Sequence, residues 1–101
     1  MTDNSVIIVG GGHNGLVCAA YLAKAGRKVT VLEAAKQVGG AAVTREFAPG
    51  YQVSACAHLL FMLDGNISSG LGLEKHGLKL AAADMETVSL SHTGEHLFLS
   101  G

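Results

Sequence analysis

The chain opens on an uninterrupted apolar run, Val6 to Val9 behind Ser5, that halts at a glycine. A β-branched stretch without polar alternation suits a strand buried on both faces of a parallel sheet, so a first strand is predicted over residues 5–9. The apolar period then changes: Leu16, Ala19, Ala20 and Ala23 recur at helical spacing within residues 14–25. Gly26 follows, where a helix end favours a residue tolerant of positive φ. A second β-branched run, Lys-Val-Thr-Val-Leu at 28–32, predicts another strand. Strand, helix and strand in so short a span imply a right-handed crossover joining parallel neighbours.

Beyond Glu33 the pattern shortens. Residues 43–47 and 51–54 flank Ala48-Pro49-Gly50, which predicts a small β-hairpin. Residues 57–63 are apolar enough for a buried helix or an irregular core segment, while 66–80 mix glycine and leucine without a period and carry no assignment. Two short runs, 87–90 and 96–99, are separated by a polar Ser-His-Thr-Gly-Glu stretch and predict a second hairpin at the end of the chain.

The glycines between the first strand and the helix carry the chemistry. Gly10-Gly11-Gly12-His13-Asn14-Gly15 fits G-x-G-x-x-G, and it sits directly after a strand, opens a helix, and is followed eighteen positions later by Glu33 at the end of the second strand. That context turns a weak pattern into a dinucleotide-binding fingerprint. Gly10 permits the tight turn, Gly12 lets the backbone approach a pyrophosphate, and Gly15 lets the helix lie close on the sheet. Free amides and the positive dipole end of the helix suit a diphosphate. Glu33 can accept hydrogen bonds from both ribose hydroxyls, and its charge repels a 2′-phosphate, which disfavours NADP. FAD and NAD share this chemistry. The pair Gly39-Gly40, six residues past Glu33, favours FAD, whose proteins often run the backbone back under the pyrophosphate there.

Composition narrows the partners. With 101 residues, 49% hydrophobic and 15% charged, the chain is sized for one small soluble domain. A net charge of −1 without any basic cluster gives nothing to draw nucleic acid or an anionic membrane. The longest apolar run, 16–23, is too short for a transmembrane segment, and the opening residues lack the features of a signal peptide, so a cytoplasmic location is expected. Cys18 and Cys56 form no CxxC or CxxxxC pair and are expected as two buried thiols in a reducing compartment.

The segments VIIVGGGHNGLVCAAYLAKAG, VTVLEAAKQVGGAAVT, EFAPGYQVSACAHLL and GLGLEKHGL resemble the phytoene-dehydrogenase-like flavoproteins, within them the pyridine nucleotide-disulfide oxidoreductase domain-containing type. The resemblance implies non-covalent FAD, a dehydrogenase or desaturase activity on a hydrophobic organic small molecule, and no disulfide relay. It also implies an α/β fold: an FAD/NAD(P)-binding Rossmann-like βαβ unit followed by small β-hairpins. Residues 1–101 would form the N-terminal part of an FAD-binding domain, without the substrate domain such proteins carry. The candidate cofactor contacts are Gly10, Gly12, His13, Asn14, Gly15, Glu33, Gly39, Gly40 and Ala41. Ala41 stands where related amine oxidases place an arginine, which argues against that activity.

Other polar residues attract weaker readings. His13 could approach the pyrophosphate or simply face solvent. His58 is expected as a core histidine bonded to a backbone carbonyl. His92 and His96 have helical zinc spacing, but Thr93-Gly94 between them marks a turn and no metal site is expected. Asp84 and Glu86 would share one face of a strand, as solvated groups. Ser54 lacks a base partner. No catalytic residue is assigned. Two alternatives stay open: an NAD-dependent dehydrogenase, and a non-catalytic nucleotide-binding fragment that associates through an exposed sheet edge.

Overall fold

The computed structural model describes residues 4–60 and 62–99. Strand β1 (Ser5–Val9) leads through the glycine loop into helix α1 (His13–Lys24) and on to strand β2 (Lys28–Leu32). β1 and β2 pair in parallel, from Ser5 opposite Lys28 to Val9 opposite Leu32. The strand bounds match the sequence pattern. The helix is displaced one residue towards the N-terminus from the predicted 14–25, because Gly12 already stands in the extended cap conformation and Leu16 N–H donates to its carbonyl at 2.9 Å. Gly26, with φ of +82°, takes the chain out of the helix.

α1 covers one face of this sheet. Val6 and Ile8 of β1 and Val29 and Val31 of β2 are half-buried, while Ile7, Val9 and Leu32 on the other face are exposed. The expectation of burial on both faces is therefore corrected: alternation in exposure appears in a sequence with no alternation in polarity, since no second layer is present among the described residues. An apolar face left bare loses roughly 25 cal/mol for each Å² not removed from water.

Past β2, strands β3 (Thr44–Ala48) and β4 (Tyr51–Ser54) form an antiparallel hairpin with a bulge between Glu46 and Ala48. Its Pro49-Gly50 turn is held by the Glu46 carboxylate, which accepts from Gly50 N–H at 2.8 Å. Helix α2 (Gly65–Leu71) is capped by the Asp64 side chain, which accepts from Asn66 N–H, and ends at left-handed Gly72. A 3₁₀ turn follows at Glu74–His76. α2 rests on α1 through Lys24 Nζ, which donates to Gly70 O at 2.6 Å, and the more distant Tyr21 hydroxyl on Asn66 O at 3.4 Å. Strands β5 (Thr87–Ser89) and β6 (Leu97–Leu99) make the second hairpin.

Residues 57–60 and 62–63 are irregular, as one of the two expectations had it, but Leu59, Leu60 and Met62 are exposed rather than in a core; Phe61 lies outside the described residues. The accessible surface of 8687 Å² far exceeds the about 5,400 Å² of a compact domain of this mass. The radius of gyration, 18.4 Å, likewise exceeds the ~13 Å of a compact chain of this length. Val43 is the one buried hydrophobic residue among those described. It lies three residues after the glycine pair.

Candidate dinucleotide site

Two glycine segments that are far apart in sequence touch here. At the end of β1, Gly10 N–H donates to Leu32 O at 2.7 Å, and Gly10 then turns the chain with φ of +99°, a conformation reserved for glycine. Gly12 forms a parallel bridge with Gly39, supported by Gly39 N–H donating to Gly11 O at 2.8 Å. The Gly39-Gly40 pair is thereby stitched to the loop. A Cβ on Gly40 would stand 3.1 Å from Gly12 Cα, and one on Gly15 only 2.1 Å from the Gly10 carbonyl oxygen. The Gly15 position excludes a side chain outright, while at Gly40 the contact is tight and φ of +58° favours glycine. Gly15 was expected to let the helix lie close on the sheet; the nearest obstacle is the loop's own carbonyl, with Ile8 Cγ2 of β1 next at 3.5 Å.

Glu33 reaches into this arrangement from the end of β2. Its Oε2 accepts from Gly11 N–H at 2.7 Å and its Oε1 from Ala35 N–H at 2.8 Å. The Ala35 and Gly11 bonds hold the carboxyl below its ordinary value of 4.5, outweighing the opposite effect of partial burial. A carboxylate oxygen offers about two lone pairs, so each keeps capacity for a further donor. The amino end of α1 has no side-chain cap, and its first-turn amides lack acceptors within the helix. His13 and Asn14, the first two helical residues, are exposed. Ala41, also exposed, uses its carbonyl to accept from Ala57 N–H at 3.1 Å, tying the glycine pair to the chain beyond the hairpin.

An open groove of about 310 Å³ adjoins Glu33, lined also by Lys36, Gln37, Gly40, Val43 and Arg45. Sequence reasoning passed over three residues of this region. Gly11 occupies a variable position of the motif, yet it is buried, and a Cβ there would meet Val38 Cγ1 at 2.9 Å and Glu33 Oε2 at 3.1 Å. The run of three consecutive glycines was the available sign. Lys36 and Arg45 carried no sign, since only the chain's return past the loop brings them to the groove.

The remaining polar residues lie apart. Cys18 and Cys56 are free and exposed, correcting the expected buried thiols: Cys18 falls on the solvent side of α1, and Cys56 in a segment with no layer above it. His58 is exposed for the same reason, and is not a core histidine. Asp84 and Glu86 precede β5 rather than lying on a strand, with Asp84 at φ of +52°. His96 Nδ1 accepts from Ser91 N–H at 3.2 Å within the β5–β6 connection, and the Ser54 hydroxyl donates to Ala57 O. No group of three or more metal-ligating side chains gathers among the described residues, and no helix there is long and apolar enough to cross a membrane.

Comparison with known proteins agrees with the geometry. The family model for the NAD(P)-binding Rossmann-like domain matches residues 8–70. Mouse pyridine nucleotide-disulfide oxidoreductase domain-containing protein 2 is 47% identical over 82 residues, covering 81% of this chain and 14% of the mouse protein. A limonene dehydrogenase component from Castellaniella defragrans is 40% identical over 97 residues, 95% of this chain and 18% of that protein. (S)-6-hydroxynicotine oxidase of Paenarthrobacter nicotinovorans is 36% identical over 88 residues, 85% of this chain and 20% of the oxidase. The chain thus spans a fifth or less of the length of each. No solved structure matches it.

Proposed function

Because this chain belongs to the NAD(P)-binding Rossmann-like domain family, we propose that its glycine loop holds the ADP portion of FAD in a flavin-dependent oxidoreductase acting on a hydrophobic organic molecule. The observation that carries the reading is the backbone stitch between Gly12 and Gly39. An NAD site needs only the loop, the helix and the acid. Here a second glycine pair is pressed against the loop, at a spacing where a Cβ on Gly40 would stand 3.1 Å from Gly12 Cα, a tight contact. The names of the relatives support the same choice: an oxidase delivers electrons to oxygen, a task suited to flavin and not to nicotinamide, and limonene is a hydrocarbon.

The groups present fit the dinucleotide. Gly10, Gly12 and Gly15 keep side chains away from the diphosphate while the amino end of α1 presents its amides. His13 and Asn14 flank that opening. Glu33 accepts from the ribose hydroxyls with the lone pairs left by Gly11 and Ala35. Gly39 and Gly40 lie against the loop, and Ala41 ties them to the chain beyond the hairpin. FAD supplies the hydride acceptor when bound. Residues 1–101 act as the N-terminal part of the FAD-binding domain, and the groups that touch the substrate belong to other parts of the whole protein.

Reconstitution of the full chain tests the reading. Purified protein incubated with FAD and desalted is expected to retain flavin absorbance, and FAD is expected to raise the melting temperature more than equal NAD. Loss of all flavin on desalting, together with equal or greater stabilisation by NAD, would overturn it.

A further inference from the structure

Three asparagines occur in the chain, and their settings differ. Asn4 precedes Ser5, and its side chain is tied to Gly26 O at 3.5 Å and to the Arg27 guanidinium. Asn66 precedes β-branched Ile67, whose N–H is engaged with Asp64 O at 3.0 Å. Asn14 precedes Gly15, is exposed, and its side-chain amide has no hydrogen-bond partner among the described residues. The Gly15 N–H, in the first turn of α1, has no acceptor within the helix, and the Gly11 carbonyl, one turn back, accepts from Gly39 N–H. A glycine nitrogen is the least shielded main-chain nucleophile, since no Cβ stands over it. Packing fixes glycine here, because a Cβ would lie 2.1 Å from the Gly10 carbonyl oxygen. The fold thus requires the residue that leaves Asn14 open to attack.

We infer that Asn14 is a site of spontaneous deamidation, and that its conversion to a carboxylate weakens diphosphate binding at the loop. The second half rests on the dinucleotide reading above. The Gly15 nitrogen gives up its proton and attacks Asn14 Cγ; the new N–Cγ bond closes a five-membered imide while the Cγ–Nδ2 bond breaks and ammonia leaves with that proton. Water then opens the ring at Cγ, leaving aspartate, or at the main-chain carbonyl, leaving isoaspartate with one more carbon in the backbone. No oxidant or reductant takes part, and a neutral amide becomes an anion. A closed helical turn holds the nitrogen away from Cγ, so the reaction proceeds from the opened turn, and α1 has no side-chain cap to keep that turn closed. A diphosphate bonded to the first-turn amides would hold it closed and slow the reaction. Once formed, the carboxylate sets a like charge against the diphosphate.

In the test, the full chain is incubated in mildly alkaline buffer with and without ADP, and peptide mass spectra follow amide-to-acid conversion at each asparagine. Asn14 is expected to convert at least about tenfold faster than Asn4 or Asn66, and ADP at about ten times its dissociation constant is expected to slow it about tenfold. The converted protein, separated by anion exchange on its added negative charge, is expected to bind ADP about tenfold more weakly, as is Asn14→Asp. The melting temperature of Asn14→Asp should be unchanged or higher, since an anion suits the amino end of a helix, and this separates lost affinity from lost fold. An Asn14 that outlasts Asn4 or Asn66 would overturn the inference, as would converted protein and Asn14→Asp that bind ADP as tightly as the wild type. A wild type that binds no ADP would overturn the dinucleotide reading, while the spectra still decide the modification.

Discussion

Replacing Gly15 with alanine is the sharpest probe of the loop. The added methyl would lie 2.1 Å from the Gly10 carbonyl oxygen and 3.2 Å from its carbonyl carbon. Both are backbone atoms that cannot rotate away, so α1 and the turn must part by about 1 Å to restore an ordinary contact. Overpacking of this kind costs about 1–3 kcal/mol, and the better helix propensity of alanine returns at most about 1 kcal/mol. Stability therefore falls by up to about 2 kcal/mol once that return is counted in full. Binding falls further, because amide-to-phosphate bonds near 2.9 Å stretched by ~1 Å leave hydrogen-bonding range. Each such charge-assisted bond contributes about 1.5–3 kcal/mol, so ADP affinity is expected to drop at least about tenfold. Isothermal titration with ADP measures this. Gly26→Ala is the control: its φ of +82° strains an alanine, but open space surrounds it and the loop is remote. It should lose stability and keep its affinity. Gly15→Ala that bound ADP within twofold of the wild type, at undiminished stability, would refute the steric argument.

Three further outcomes follow from the structure. The bonds from Ala35 and Gly11 place Glu33 below its ordinary carboxylate range, so its contribution to stability is fully present above about pH 4.5 and fades as pH falls through the lowered value. Denaturant unfolding of wild type and Glu33→Gln should differ at neutral pH and converge in acid; a gap that persists unchanged to about pH 2 would contradict the assignment. The bare face of Ile7, Val9 and Leu32 should drive self-association, so the sedimentation coefficient of the wild type should rise with concentration while Ile7→Thr combined with Val9→Thr flattens the rise. Gly70→Ala puts a Cβ 2.5 Å from the Tyr21 hydroxyl, the far end of a movable ring. Its cost should stay below about 1 kcal/mol and vanish in a Tyr21→Phe background, as a double-mutant cycle of unfolding energies would reveal.

The βαβ unit was legible because each of its parts has a local cause. Both strands announce themselves by β-branched runs, and α1 by the spacing of Leu16 and its alanines. The hairpins were legible from Pro49-Gly50 and from the polar stretch before His96. What escaped the pattern depends on what surrounds a residue. Cys18 and His58 belong to types often found inside, yet both are exposed, because no second layer covers their segments here. Residues 66–80 lack a period since α2 is only two turns long and ends at Gly72, too short for amphipathic spacing to accumulate. Within the site, the glycines and Glu33 were found by a motif whose spacing reflects backbone geometry. Arg45 and Lys36 were not, because their meeting depends on a loop closing through space.

That contrast explains how a chain with so little buried surface can still build a defined site. The loop is set by hydrogen bonds from main-chain amides, from Gly10 to Leu32, from Gly39 to Gly11 and from Gly11 to the Glu33 carboxylate, rather than by apolar burial. The two amide-to-carbonyl bonds fix direction well, but each contributes only about 1 kcal/mol net, and Val43 alone does little to reinforce them. A dinucleotide laid along the groove would add its own contacts to those bonds. Ligand at a hundred times its dissociation constant stabilises the folded form by about 2.7 kcal/mol, more than either of those amide-to-carbonyl bonds. The cofactor in this reading is a structural member of the domain as much as a reactant, and the glycines are spaced to leave the volume that it fills.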